Sequence, residues 1–174
     1  MSLLVGQNGT GWTNAVGGLE GNGGNLVYFH SGYTAVATGT MTKAHFSLWN
    51  LAAGSTLGTV YVYSGVGPGS TLLATSGEMT LAVGDNSAAI SGTITSGNSY
   101  TLCFQAASGY TNAIMNSGTS TSNDNQNTVA TFPYRSPPTT MPAFSLQSGP
   151  EFIIWIDGTS VVATGPAMYQ LKKA

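Results

Sequence analysis

Residues 59–75 read TVYVYSGVGPGSTLLAT, and this stretch decides the fold class. Its first part alternates valine with tyrosine, and a period of two is typical of a β-strand whose two faces meet different surroundings. Val60 and Val62 are therefore predicted on one face, and Tyr61 and Tyr63 on the other. A glycine- and proline-rich stretch then breaks the strand before a second apolar run. The pattern predicts two strands joined by a turn.

Similar short runs of Val, Ile, Tyr, Phe and Trp continue along the chain. Turn residues separate them about every eight to twelve residues, which favours a sandwich or barrel over alternating helices and strands. Residues 152–156, FIIWI, are apolar at every position, so both faces of this strand must be shielded from water by other residues. Gly84-Asp85-Asn86 is expected to form a turn. The sequence predicts an all-β, antiparallel β-sandwich.

Changes in composition divide the chain into three parts. The first is rich in glycine and asparagine, and such a composition loses much backbone entropy on folding, so an arm anchored by Leu3, Leu4 and Trp12 is expected. Prolines in residues 131–142 predict an extended crossing over the surface. The three parts are an N-terminal arm (1–25), a β-sandwich domain (26–165) and a C-terminal tail (166–174).

Charge is scarce, with four Lys and Arg against six Asp and Glu and a net charge of −2. No basic stripe is present to neutralise a phosphate backbone, so nucleic acid is not an expected partner. No apolar run is long enough for a membrane helix, and the N-terminus lacks the features of a signal peptide. Cys103, the single cysteine, is interpreted as an inert mid-strand thiol, in keeping with synthesis in a reducing cytoplasm.

The sequence gives little evidence for catalytic or metal-binding residues. Glycoside hydrolysis needs two facing carboxylates, and Glu78 and Glu151 are the pair that turn contexts leave unexplained. His30 and His45 lack a nucleophile motif and are interpreted as ordinary strand histidines. The loop 123–127 offers oxygen ligands but no second carboxylate for a calcium ion, and one Cys with two His makes no zinc cluster. We expect no enzyme activity, no metal and no cofactor.

Aromatic residues are the better candidates for contact. Exposed tyrosine or tryptophan rings could stack on carbohydrate, but the same rings could lie under the N-terminal arm or a neighbouring subunit, which is the favoured interpretation. The apolar strand adds two further rings. The candidate binding or interface residues are Trp12, Tyr61, Tyr63, Tyr110, Phe152 and Trp155.

One block of the chain resembles a known module. Residues 46–104 contain VYVYS (60–64), GPGSTLLATS (67–76) and ITSGNSYTL (94–102). These segments are similar to a jelly-roll β-sandwich module of phage structural proteins and bacterial surface proteins. The resemblance covers about a third of the chain and implies two antiparallel sheets packed face to face, a jelly-roll-like sandwich. It brings no catalytic residues with it.

We therefore expect a non-enzymatic structural or assembly protein. The resemblance favours a phage virion component, a capsid decoration or tail protein, located in the virion after synthesis in the host cytoplasm. Its partners would be copies of itself, as a homo-oligomer for which the phage analogy favours a trimer, and other virion proteins. The alternative is an extracellular carbohydrate-binding module with glycans as partners, and a sandwich-fold glycan hydrolase comes third.

Overall fold

A computed structural model describes residues 1–6, 8, 18–20, 26–51, 57–107, 111–115, 117–118, 128–143 and 151–161. Within these ranges the regular structure is entirely β, and no helix occurs that could span a membrane. The strands are β1 (Ser2–Gly6), β2 (Gly18–Glu20), β3 (Leu26–Thr34), β4 (Gly39–Leu51), β5 (Leu57–Ser64), β6 (Thr71–Thr75), β7 (Met79–Thr80), β8 (Gly84–Ala89), β9 (Thr93–Ile94), β10 (Ser99–Ala106), β11 (Thr111–Met115), β12 (Ser117–Gly118), β13 (Thr128–Thr131), β14 (Glu151–Phe152) and β15 (Ile154–Ser160).

Two antiparallel sheets pack against each other, which confirms the predicted β-sandwich. Sheet A has the order β1-β15-β4-β11-β2, and β8 and β9 also pair with β4. Sheet B has the order β13-β3-β10-β5-β6, and β7 also pairs with β5. Strand β4 is thirteen residues long, and its middle pairs with β15 on one edge and with β8 on the other. It is the longest described strand and organises sheet A.

The main core lies between the two sheets. The rings of Phe46 on β4 and Phe104 on β10 stack across it, with centroids 3.7 Å apart and planes 3° apart. Val60 and Val62 point into this core, as the alternation in β5 predicts. Burying each such side chain contributes about 1.5–3 kcal/mol. Other fully buried members are Leu4, Ala44, Leu48, Ile94, Leu102 and Ile156.

A second apolar cluster lies on the outer face of sheet B. Residues 132–141, which we call the strap, cross this face and bring Phe132 and Met141 onto Tyr61 and Tyr63. The strap is therefore the predicted extended crossing. It is also hydrogen-bonded to the edge strand β6 and the loop before it. These bonds run from Leu72 N to Thr139 O (2.8 Å), from Met141 N to Ser70 O (2.8 Å) and from Gly69 N to Met141 O (3.0 Å).

Two local expectations need correction. Ser2–Gly6 form strand β1 beside β15 instead of an arm, because Leu4 and Val5 are fully buried in the core. The predicted turn at residues 84–86 is wrong, since these residues begin β8 and pair with β4. The Asn86 side chain bonds the backbone of Ala82 instead, so the chain turns before β8. The tail predicted at 166–174 lies outside the described residues.

Candidate functional site

The structure separates the six predicted contact residues. Tyr61 and Tyr63 are fully buried on β5, and Trp155 on β15 is almost fully buried. Phe152 lies on β14, but its side chain is outside the described part of the structure. Trp12 and Tyr110 also lie outside the described residues. The six residues are therefore not brought together into one described site.

The rings of the two tyrosines are covered by the strap of the same chain. Tyr61 OH donates a hydrogen bond to Gln105 Oε1 and accepts one from Arg135 N at 3.1 Å. Tyr63 OH donates to the carbonyl of Pro138 at 3.0 Å. Burial raises the pKa of both tyrosines well above the ordinary value near 10. This cover differs from the expected arm or neighbouring subunit, and it leaves neither ring free to stack on a sugar.

Cys103 lies beneath the same strap. Its side chain is fully buried on β10, and burial raises the pKa of the thiol well above its ordinary value. The thiolate is the reactive form, so this environment suppresses nucleophilic chemistry. The interpretation of Cys103 as an inert thiol agrees with its placement.

Sheet A carries a buried histidine between two carboxylates on its outer face. His45 Nδ1 lies 3.3 Å from Asp85 Oδ2 on β8, and His45 Nε2 lies 3.5 Å from Asp157 Oδ2 on β15. The ring of Trp155 stacks on the imidazole, with centroids 4.5 Å apart and planes 7° apart. Burial raises the pKa of Asp85, and the neighbouring His45 partly opposes that rise.

This histidine cluster joins strands and shows no arrangement for holding a metal. The two carboxylates approach opposite nitrogens of one ring, so they cannot converge with that ring on a single ion. Across the described ranges, no group of three or more His, Cys, Asp and Glu side chains is placed to bind a metal. Sequence reasoning missed the cluster because Asp85 and Asp157 are distant from His45 along the chain. In the sequence, Ala44, Phe46 and Leu48 alternate with polar residues, which indicates only that His45 faces away from the core.

Glu78 belongs to a second polar cluster, at the end of the strap. Its Oε2 accepts a hydrogen bond from Tyr134 OH at 3.1 Å and lies 3.7 Å from Arg135 Nη1. Thr59 Oγ1 lies 3.3 Å from the same tyrosine hydroxyl. Glu151, the other half of the predicted carboxylate pair, is on β14, and its side chain is not among those described. Tyr134 and Arg135 carried no motif that would single them out in the sequence.

The loops at one end of the sandwich are fastened to one another by backbone hydrogen bonds. Strands β3 and β15 end here, and β4 and β10 begin here, as their registers show. The bonds run from Ala35 N to Asn98 O (2.9 Å), from Gly65 N to Ser99 O (3.0 Å) and from Val161 N to Thr38 O (2.8 Å). Backbone pairing of this kind fixes the loops relative to both sheets.

Three exposed valines project from this end. The exposed fractions are 65% for Val36, 55% for Val66 and 66% for Val161. No charged residue occurs in the segments that build the surface. We call this surface the valine end and define it as residues 32–38, 64–70, 95–99 and 160–161.

The chain was compared with protein-family models, with curated proteins and with solved structures, and none of them matches it.

Proposed function

We propose that the chain is a non-enzymatic structural protein that works by assembly, as a component of a phage virion such as a capsid decoration or tail protein. The observation that carries the proposal is the valine end, which exposes three valines, has no charged residue in the segments that build it and is held by interloop hydrogen bonds. The resemblance of residues 46–104 to a module of phage structural proteins supports the virion assignment. The partners are copies of the chain, with a trimer favoured by the phage analogy, or other virion proteins.

The physical chemistry of the valine end suits a lasting contact. Burial of valine side chains releases about 25 cal/mol for each Å² of apolar surface removed from water. A surface without charged groups incurs no cost for desolvating them, and its contacts are little affected by salt. Because the loops are already fixed to each other, little additional ordering is needed on binding. Assembly through this end would therefore be stable over a wide range of ionic strength.

The test introduces charge at this end and at a matched position elsewhere. Val36→Asp, Val66→Asp and Val161→Asp are combined in one variant, and Val83→Asp serves as the control. Val83 is 63% exposed, but it precedes β8, whose first residue pairs with Leu48. Leu48 is nine residues along β4 from the valine end, a distance of about 30 Å.

Multi-angle light scattering at micromolar concentration gives the mass of each variant. We expect an oligomer for the wild type and for Val83→Asp, and a folded monomer for the triple variant. A wild-type chain that runs as a monodisperse monomer contradicts self-assembly, and an oligomer that survives the triple change contradicts the valine end as its interface. Circular dichroism checks that each variant keeps its β-structure.

The two other functions have less support. A carbohydrate-binding module would have to use rings other than Tyr61 and Tyr63, which are buried. A glycan hydrolase would need Glu78 as one of two facing carboxylates, but Glu78 is engaged by Tyr134 and Arg135. Alanine substitution of Glu78 and Glu151 in an activity screen tests the hydrolase directly.

A further inference from the structure

Arg135 has a positive φ, a backbone conformation that among the described residues is otherwise found only at glycines. Among the described residues, eight glycines and Arg135 have positive φ, and the φ of Arg135 is 59°. The bond from Ser136 N to Pro133 O (2.9 Å) closes a β-turn in which Arg135 is the third residue, where a positive φ favours glycine. The left-handed conformation costs a residue with a side chain about 1–2 kcal/mol.

The local contacts of Arg135 do not explain why the position is not a glycine. The backbone bond from Arg135 N to Tyr61 OH needs no particular side chain. Within the described part of the chain, the guanidinium makes one ion pair, at 3.7 Å with Glu78, and the two side chains are 47% and 32% exposed. A surface pair of this kind contributes about 0–1 kcal/mol, which does not exceed the conformational cost. Strain retained in this way points to a use for the side chain outside the fold.

The residues around Arg135 indicate what kind of ligand its side chain could bind. Tyr134, a half-buried residue, lies beside it in the turn, and its hydroxyl contacts Glu78 and Thr59. An aromatic ring, a guanidinium, a carboxylate and a hydroxyl are thus gathered within one turn and the adjoining strand ends. The carboxylate disfavours an anionic ligand, whereas neutral hydroxyl groups can donate to it and accept from the guanidinium.

We propose that Glu78, Tyr134 and Arg135 form a binding site for a neutral carbohydrate, which we call the turn site. The fully buried Thr59 lies behind this site and contacts the Tyr134 hydroxyl. The apolar face of a sugar ring stacks on Tyr134. One hydroxyl of the sugar donates to the Glu78 carboxylate, and a neighbouring hydroxyl accepts from the Arg135 guanidinium. The site is separate from the valine end, because Thr59 is five residues, or roughly 17 Å, along β5 from Ser64. Carbohydrate binding can therefore accompany assembly.

One buried and one partly buried hydrogen bond hold the turn site in place before any ligand binds. Gln105 Nε2 donates to Phe132 O at 2.8 Å, and Arg135 N donates to Tyr61 OH. Both bonds fasten the strap to sheet B directly behind the turn. A site supported by such contacts loses little conformational entropy on binding.

The experiment separates a role in binding from a role in the fold. The full chain is screened on an array of neutral oligosaccharides (glucans, xylans, mannans and chitin fragments), and positives are measured by isothermal titration calorimetry. Arg135→Gly keeps the turn and removes the guanidinium, and Tyr134→Ala removes the ring. Lys43→Ala, which removes an exposed cation from sheet A, is the control.

We expect Arg135→Gly and Tyr134→Ala each to weaken the affinity at least about tenfold, as the loss of a charge-assisted hydrogen bond or a stacking ring implies. The Tm of Arg135→Gly should equal or exceed that of the wild type, while Lys43→Ala should bind normally. The proposal is overturned if no array member binds at millimolar concentration, or if Arg135→Gly binds as tightly as the wild type. A lower Tm for Arg135→Gly would also overturn it, because Arg135 would then be serving the fold.

Discussion

The substitution Phe132→Ala tests whether the strap shields the outer face of sheet B from water. The Phe132 ring packs edge-on against Tyr61, with centroids 5.6 Å apart and planes at 64°, and it is almost fully buried. Phe132→Ala leaves the backbone carbonyl that binds Gln105 but removes the ring. Core substitutions of this kind cost about 3–5 kcal/mol, and we take about 3 kcal/mol because the strap lies at the surface and can partly collapse.

Cys103 provides the assay, since it is the single cysteine of the chain and is fully buried beneath the strap. A thiol reagent such as Ellman's reagent reaches it only when the structure opens, so the labelling rate reports the open population. A loss of about 3 kcal/mol raises that population roughly 150-fold, because each 1.4 kcal/mol is a factor of ten. We expect an increase of about this size for Phe132→Ala under native conditions, together with a lower urea midpoint.

Leu73→Ala is the control, because Leu73 lies on the edge strand β6 of the same sheet and is 37% exposed. It should change the labelling rate by less than about fivefold, as expected for a partly exposed side chain. Two results would refute the conclusion that the strap shields Cys103 from solvent. One is a wild-type Cys103 that reacts as fast as a free thiol, and the other is an unchanged labelling rate in Phe132→Ala.

The remaining predictions concern single groups. Tyr61→Phe should lower the free energy of unfolding by about 1–2 kcal/mol in urea titrations, and Tyr63→Phe by less, because the Tyr63 bond is only partly buried and water can replace it. Burial raises the pKa of Asp85, so the folded state holds this proton more tightly than the unfolded chain does. The contribution to stability is therefore full in acid, below the ordinary pKa of 3.8, and is lost as the pH rises through the raised pKa, and Asp85→Asn should remove this part of the pH profile. Gly158→Ala would place a methyl carbon 2.1 Å from Thr40 O, so thermal denaturation should show a loss of more than about 2 kcal/mol.

Local sequence patterns predict the fold correctly where the residues on one face of a strand are of one chemical type. The alternation of Val60 and Val62 with Tyr61 and Tyr63 assigns both faces of β5 correctly, because the period of two is a property of the strand itself. Proline placement likewise predicts the strap as an extended crossing. What the strap covers could not be read from these signals, since its contacts with β5 join segments about 75 residues apart.

Turn-forming residues gave a wrong prediction where their side chains make hydrogen bonds outside a turn. Gly-Asp-Asn at 84–86 has the composition of a turn, but Asn86 caps the preceding loop while the backbone joins β4. Leu4 and Val5 are too few to outweigh the surrounding glycines in composition, yet both are buried once β1 lies beside β15. The histidine cluster and the turn site depend on pairings across strands, which local sequence does not encode.

The placement of the aromatic residues changes where a partner would bind. A two-layer sandwich leaves the outer faces of its sheets to water, and apolar residues on those faces would need a neighbour to cover them. Tyr61 and Tyr63 are instead covered by the strap, and Trp155 stacks on His45, so at these positions the chain covers its own apolar residues. At these described positions the sheet faces do not require a neighbour, whereas the valine end exposes three valines and has no charged residue in its segments. An assembly built on this chain is therefore expected to join subunits through the loops at that end of the sandwich, and less through the faces of its sheets.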